Sequence, residues 1–286
     1  MPQKTRPRTP PEPLEEQDLI RIFIVFLGCF VAALQSIVAF AGDGKPVIRE
    51  ERKIIINGVE ELWQLEWAHT PSPACGPEDA EWSTCPCSGF AFGESGELTL
   101  VRKRQGQKDE RLSLSPFFSD DYDSPAASST SKAVLARWAV HEKDYEDSDK
   151  PDFVARVRNR PLMRIMNYKD YDHDGNPTEF MVQVGTLPCG KLMSIVVGIS
   201  KASPHLHAFS SVKQPKQPLT LQAHQWEALS KAKAPIKVID WQCGDHGSEE
   251  EVELELVAKN GSIHTIRRTY DCKEDGRGKL LKQEDF

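Results

Sequence analysis

The sequence predicts a β-rich α+β fold with mostly antiparallel sheets and hairpins, one main helix and disulfide staples. Twenty prolines and eighteen glycines among 286 residues provide turns throughout the chain, which favours short strands over long helices. Asn57-Gly58 and Asn260-Gly261 each stand between segments of strand-like pattern, and an Asn-Gly pair is a strong signal for a two-residue hairpin turn. Six cysteines follow residue 41, and an even number in an exported chain indicates a disulfide framework.

The overall composition is that of an ordinary globular protein. The apolar and charged fractions are 39% and 28%, which separates the chain from disordered sequences. The net charge is −7, and this argues against nucleic acid as a partner, because phosphate binding requires a basic surface.

The N-terminal part of the chain predicts export. Residues 1–18 are proline-rich and charged, which indicates a disordered leader. Two interpretations of the following apolar segment compete. Residues 19–41 are a signal peptide cleaved after Ala39-Phe40-Ala41, a small-x-small site, or residues 22–41 are an uncleaved membrane anchor of just sufficient length. The first predicts a secreted or periplasmic protein, and the second predicts a domain held outside the cytoplasm by its anchor.

Residues 42–114 are predicted to form an N-terminal β region with a cysteine-rich loop. A strand ending at Asn57-Gly58 returns with Trp63, Leu65 and Trp67 on one face at period two. Leucines at 98 and 100 face leucines at 112 and 114 across a polar turn, which predicts a second hairpin. The Ser-, Pro- and Asp-rich residues 115–131 are predicted to be a linker.

Residues 132–286 are predicted to form a C-terminal β-rich domain. Residues 220–232 carry the main helix, because Leu221, Trp226 and Leu229 share a face. Apolar residues alternate with glutamates from 251 to 256, which predicts a half-buried strand before the turn at Asn260-Gly261. Further strands are predicted at Leu162–Met166, Glu179–Val184, Leu192–Ile199, Leu206–Phe209, Ile236–Trp241 and Ile263–Tyr270.

One disulfide can be predicted from this arrangement. In a meander, the strand that precedes Cys243 and the strand that precedes Cys272 come close enough for these cysteines to pair. The connectivity of Cys75, Cys85, Cys87 and Cys189 stays open.

The segment Asp170-Tyr171-Asp172-His173-Asp174-Gly175 has the residue pattern of a metal-binding loop. Carboxylates at positions 1, 3 and 5 can point to one ion while the glycine turns the chain, and Ca²⁺ takes six to eight oxygen ligands. The predicted ligands are the side chains of Asp170, Asp172, Asp174 and Glu179 and the carbonyl of Asn176. A polar turn without metal is the alternative, although three carboxylates at period two repel one another unless a cation neutralises them.

This loop resembles known calcium loops over about twenty residues. It shares the D-x-D-x-D-G core of EF-hands but has Met181 at the position of their last glutamate and Pro177 in place of an apolar residue. Its strand-like flanks make it similar to the strand–calcium loop–strand units of FG-GAP and integrin-type propeller repeats, with Glu179 as the late acidic ligand. The resemblance implies calcium binding; a propeller would need several copies, and the chain has one.

A zinc site is the competing metal hypothesis. His205 and His207 would share one face of a strand, and His246 could supply a third ligand.

The leading functional interpretation is an exported, non-enzymatic calcium-binding module that binds an unidentified protein or glycan in the envelope. The alternative is a zinc-dependent hydrolase that uses His205 and His207.

Overall fold

Antiparallel strands dominate the part of the chain that the structure, a computed structural model, describes. The described residues are 45–75, 92–118, 132–138, 150–187, 191–274 and 276–286. The predicted leader, the apolar segment, most of the predicted linker and Cys85, Cys87 and Cys189 lie outside them. No helix among the described residues is long and apolar enough to cross a lipid bilayer. The predicted β-rich α+β class is confirmed.

The first sheet contains the predicted N-terminal hairpins. Its four strands lie in the order β1 (Val47–Ile56), β2 (Val59–Trp67), β5 (Leu98–Lys103) and β6 (Glu110–Ser113). The turn between β1 and β2 has positive φ at Asn57 (51°) and Gly58 (79°), as an Asn-Gly hairpin requires.

A three-stranded sheet lies partly in the region predicted to be an irregular cysteine-rich loop. Its order is β3-β4-β7, with β3 at Ser72–Ala74, β4 at Gly93–Gly96 and β7 at Ala133–Ala136. The strands are three or four residues long and rich in Gly and Ala, so they carry little alternation that a sequence pattern could reveal.

The third sheet leads to the aspartate loop. Strand β9 (Lys191–Gly198) pairs with β8 (Glu179–Leu187), β10 (His207–Ala208) and β11 (Leu221–Gln222). The prediction of a strand at Leu162–Met166 is wrong. This segment forms only an isolated bridge at Leu162, and the N–H groups of Ile165 and Met166 donate to the Glu50 carboxylate instead (2.7 and 3.2 Å).

Two α-helices occur in the described part of the chain. Helix α1 (Phe153–Arg158) has six residues and was not predicted. Helix α2 (Ala223–Lys231) confirms the predicted main helix, and a reciprocal capping box between Gln222 and Gln225 starts it. Its buried Trp226 donates from Nε1 to the Ser194 carbonyl over 2.9 Å.

The C-terminal sheet is a meander in the order β12-β13-β14-β15. Its strands are β12 (Ile236–Trp241), β13 (Glu250–Lys259), β14 (Ser262–Lys273) and β15 (Gly276–Asp285). As predicted, Asn260-Gly261 turns β13 into β14, with φ values of 52° and 82°. The predicted Cys243–Cys272 disulfide is confirmed, with a Cα–Cα distance of 5.5 Å. Cys75 is also disulfide-bonded.

Two hydrophobic clusters hold these sheets together. The first joins the first sheet to the third and includes Trp63, Leu100, Leu135, Phe180 and Val197, so residues on both sides of the predicted linker share one core. The second packs α2 and β9 against the C-terminal sheet. The aspartate loop lies next to this second cluster, because its Tyr171 is one of the buried members and makes an edge-to-face contact with Trp226.

Candidate metal centre

The aspartate loop is closed at its base by backbone pairing. Lys169 and Glu179 form an isolated antiparallel bridge, in which Lys169 N donates to Glu179 O over 2.8 Å and Glu179 N donates to Lys169 O over 3.3 Å. The residues between them therefore leave and re-enter the sheet at one place. Positive φ values at His173 (55°) and Gly175 (92°) bend the chain within the loop.

The structure brings three of the predicted ligands together. Asp170, Asp172 and Asp174 each offer a carboxylate oxygen within 4.8 Å of the other two, and they can hold a metal ion. Backbone N–H groups orient these carboxylates: Asp174 N donates to Asp170 Oδ1 (3.0 Å), and Gly175 N donates to Asp170 Oδ2 (2.9 Å). The alternating aspartates thus face one another, as the spacing of the motif predicts.

Asp172 is the most deeply placed of the three. Its side chain is fully buried, and its Oδ2 has no hydrogen-bond partner, whereas Oδ1 accepts from Asp174 N over 3.1 Å. Burial, followed by the charge of Asp174, raises the pKa of Asp172 to about 7. A buried carboxylate oxygen without a donor is costly, and a bound cation would remove that cost.

Glu179 and Asn176 lie at the edge of this cluster. Both carboxylate oxygens of the buried Glu179 accept hydrogen bonds, Oε2 from Tyr171 N (2.7 Å) and Oε1 from the Thr178 hydroxyl (2.8 Å). Burial, followed by the charge of Asp172, raises the pKa of Glu179 to about 8. The Asn176 carbonyl accepts from Thr178 N over 3.0 Å. Ligation by Glu179 and Asn176 stays a prediction. Through its hydrogen bonds to Tyr171 and Thr178, Glu179 links the two ends of the loop.

Two turns from distant parts of the chain contact the loop. Gly261 N donates to Asp172 O over 3.0 Å, and Asn260 N donates to His173 O over 3.3 Å. Lys201 N donates to Asp174 Oδ2 over 2.5 Å, and the Lys201 ammonium donates to the Asp174 carbonyl. The sequence signalled Asn260-Gly261 only as a hairpin turn, and it carries no signal that places Lys201 at the loop.

The histidines of the zinc hypothesis have other neighbours. His205 Nδ1 lies 3.2 Å from Glu110 Oε1, His207 contacts the His205 carbonyl (2.8 Å) and the Phe209 ring, and His246 packs on Trp241. The aspartate triad is the one group of three acidic, His or Cys side chains at metal-binding spacing among the described residues. The structure therefore does not assemble His205, His207 and His246 into a shared site.

Comparison of the chain with protein-family models, with curated proteins and with solved structures found no match. The triad offers only oxygen donors, the ligands of hard cations, and its contacts are with the backbone of neighbouring turns.

Proposed function

We propose that this chain is an exported calcium-binding protein in which Asp170, Asp172 and Asp174 bind one structural Ca²⁺. The observation that carries the proposal is the fully buried Asp172 carboxylate, whose Oδ2 has no hydrogen-bond partner within a triad of carboxylates. When ionised, the three aspartates repel one another in a partly buried site, and a bound divalent cation neutralises that repulsion.

The donor set favours calcium over other metals. Oxygen ligands alone suit Ca²⁺ and Mg²⁺, whereas zinc sites typically include Cys or His ligands. Mg²⁺ demands a smaller octahedral shell, while Ca²⁺ accepts an irregular one that includes backbone carbonyls such as that of Asn176. The resemblance of the loop to FG-GAP, integrin-type and EF-hand calcium loops supports the same choice.

A structural role for the ion follows from what the loop contacts. The carbonyls of Asp172 and His173 accept from the turn of the C-terminal sheet, and Asp174 contacts Lys201. An ion that fixes the aspartates therefore fixes the surface where three turns meet. We propose that the protein presents this surface as a non-enzymatic binding module for a protein or glycan of the cell envelope.

Export is supported by the chemistry of the cysteines. The Cys243–Cys272 disulfide is typical of oxidising compartments, and the apolar segment with its Ala39-Phe40-Ala41 site is typical of exported chains. The two features are independent, because one depends on the folded chain and the other on its N-terminal sequence.

The test is the effect of CaCl₂ on thermal unfolding. Calcium at a hundredfold excess over its dissociation constant should stabilise the wild type by about 2.7 kcal/mol, which corresponds to several degrees for a chain of this size. Asp172→Asn should lose this gain because it removes a charged ligand. Asp109→Asn, at an exposed position distant from the loop in sequence, should keep it. MgCl₂ should stabilise the wild type much less.

A melting temperature of the wild type that does not respond to CaCl₂ means that the loop is only a turn. Elemental analysis of the purified protein adds a second readout, since stoichiometric zinc in place of calcium would favour the hydrolase alternative.

A further inference from the structure

Lys201 brings a positive charge to the aspartate loop from 27 residues beyond Asp174. Its ammonium donates to the Asp174 carbonyl oxygen, and Nζ lies 3.4 Å from the position that a Cβ atom on Gly175 would occupy. Its backbone N–H donates to Asp174 Oδ2 over 2.5 Å. One residue thus contacts the loop through both its main chain and its charge.

The turn that carries Lys201 is itself fixed. Ser200 N donates to Ser203 O over 2.9 Å, and Ser203 N donates to Ser200 Oγ over 3.0 Å. The Ala202 Cβ atom packs against Gly261, 3.5 Å from the Cβ position of that glycine. The main chain of Lys201 is therefore held between the aspartate loop and the Asn260-Gly261 turn, which keeps its ammonium on the backbone of the loop.

Lys169, the basic residue just before the loop, is engaged elsewhere. Its Nζ donates to both carboxylate oxygens of Glu227, at 2.5 and 2.6 Å, so its charge is already compensated. The Lys201 ammonium, in contrast, lies on the loop that contains the three aspartates.

We propose that Lys201 is a built-in counter-ion of the aspartate loop. Its charge stabilises the three carboxylates in the metal-free protein and opposes the arrival of a divalent cation, so Lys201 sets the calcium affinity. The affinity part rests on the proposed calcium site; the stabilisation of the metal-free loop does not. Because Lys201 is exposed, solvent screens both effects, and we expect them to be modest and dependent on salt.

The first measurement is thermal unfolding in chelator at low ionic strength. Lys201→Gln keeps a hydrogen-bond donor and removes the charge, so it should lower the melting temperature by about 1 to 3 degrees. Lys201→Arg keeps the charge and should match the wild type, and Lys216→Gln, which removes a charge from another exposed position, should also match it. Added salt should shrink the difference. Equal melting temperatures of Lys201→Gln and wild type in low salt would overturn the counter-ion role.

The second measurement is calcium affinity by titration calorimetry with CaCl₂ alone. Lys201→Gln should bind calcium roughly fivefold more tightly than the wild type, with Lys201→Arg and Lys216→Gln unchanged. Equal or weaker binding by Lys201→Gln would overturn the role of Lys201 in setting affinity. If the wild type itself binds no calcium, the proposed site is wrong and this part falls with it, whereas the chelator measurement still decides the counter-ion role.

Discussion

The backbone N–H of Gly261 donates to the carbonyl oxygen of Asp172 over 3.0 Å. The same glycine lies against the side chain of Asp172, because a Cβ atom added to it would be 3.4 Å from the unpartnered Oδ2. The hairpin turn of the C-terminal sheet therefore forms one wall of the candidate metal centre.

Substitution of Gly261 by alanine should affect both stability and calcium response. Gly261 and Gly58 occupy equivalent Asn-Gly turns, with φ values of 82° and 79°, so each alanine variant should lose about 1–2 kcal/mol through backbone strain. Gly58 has no atom within 4 Å of its Cβ position, so Gly58→Ala serves as the matched control. Only Gly261→Ala should also reduce the calcium-induced rise in melting temperature. An identical calcium response of the two variants would show that the turn is not part of the site.

The buried Glu61–Arg102 ion pair should make stability fall at acidic pH. Arg102 Nε lies 2.6 Å from Glu61 Oε2, and both side chains are at most 5% exposed. Burial alone would raise the pKa of Glu61, but hydrogen bonds from Arg102 and Trp63 outweigh it and hold the pKa below its ordinary value. The stabilisation is therefore present above the ordinary pKa of a glutamate and is lost as pH falls through the lowered one.

Denaturant unfolding at pH 7 and near pH 3 measures this contribution. Glu61→Gln should lose up to about 3 kcal/mol at pH 7, because it leaves the buried Arg102 charge with only the more distant carboxylate of Glu110, at 3.3 Å. Its deficit relative to the wild type should shrink at the acidic pH. Glu60→Gln is the control: Glu60 pairs with Lys53 on the surface, where its side chain is 62% exposed, and the change should cost less than about 1 kcal/mol. A deficit of Glu61→Gln that is the same at both pH values would contradict the assignment.

The Cys243–Cys272 disulfide should contribute substantially to stability. It joins residues 29 apart in sequence, a separation for which chain entropy gives about 3–4 kcal/mol. The double variant Cys243→Ser/Cys272→Ser should show that loss in denaturant unfolding, and reducing agent should have less effect on it than on the wild type. Peptide mapping without reduction should recover the linked pair; free thiols at both positions in protein from an oxidising compartment would refute the linkage.

Export can be tested on the protein from its native cell. N-terminal sequencing should begin at Gly42 if the Ala39-Phe40-Ala41 site is cleaved. An intact chain in the membrane fraction would support the anchor interpretation instead. A full-length product in the cytoplasm would contradict both.

Local pattern predicted the hairpins and the triad well. Asn57-Gly58 and Asn260-Gly261 turn where expected, because a type I′ turn needs two residues that tolerate positive φ. Period two along the loop brings Asp170, Asp172 and Asp174 together for a similarly local reason. The Cys243–Cys272 pair follows from the order of consecutive strands.

Features that depend on distant contacts escaped prediction. Strand β15 is mostly exposed along its length, so it lacks an apolar alternation and is defined by its pairing with β14. The segment at 162–166 is apolar enough for a strand, but the N–H groups of Ile165 and Met166 donate to the side chain of Glu50, more than a hundred residues away. Lys201 reaches the aspartate loop only because β9 and the turn after it pass beside that loop.

The core shared by β2 and β9 has a consequence for the order of folding. Trp63, Leu65 and Trp67 pack in one cluster with Ile195 and Val197, so the first sheet cannot complete its interior until β9 has been synthesised and folds against it. Contacts between residues so distant in sequence raise the contact order of the chain, and a high contact order slows folding. We therefore expect refolding that is slow for a chain of this size. The N-terminal hairpins should expose apolar surface and stay sensitive to protease until the later strands pack against them.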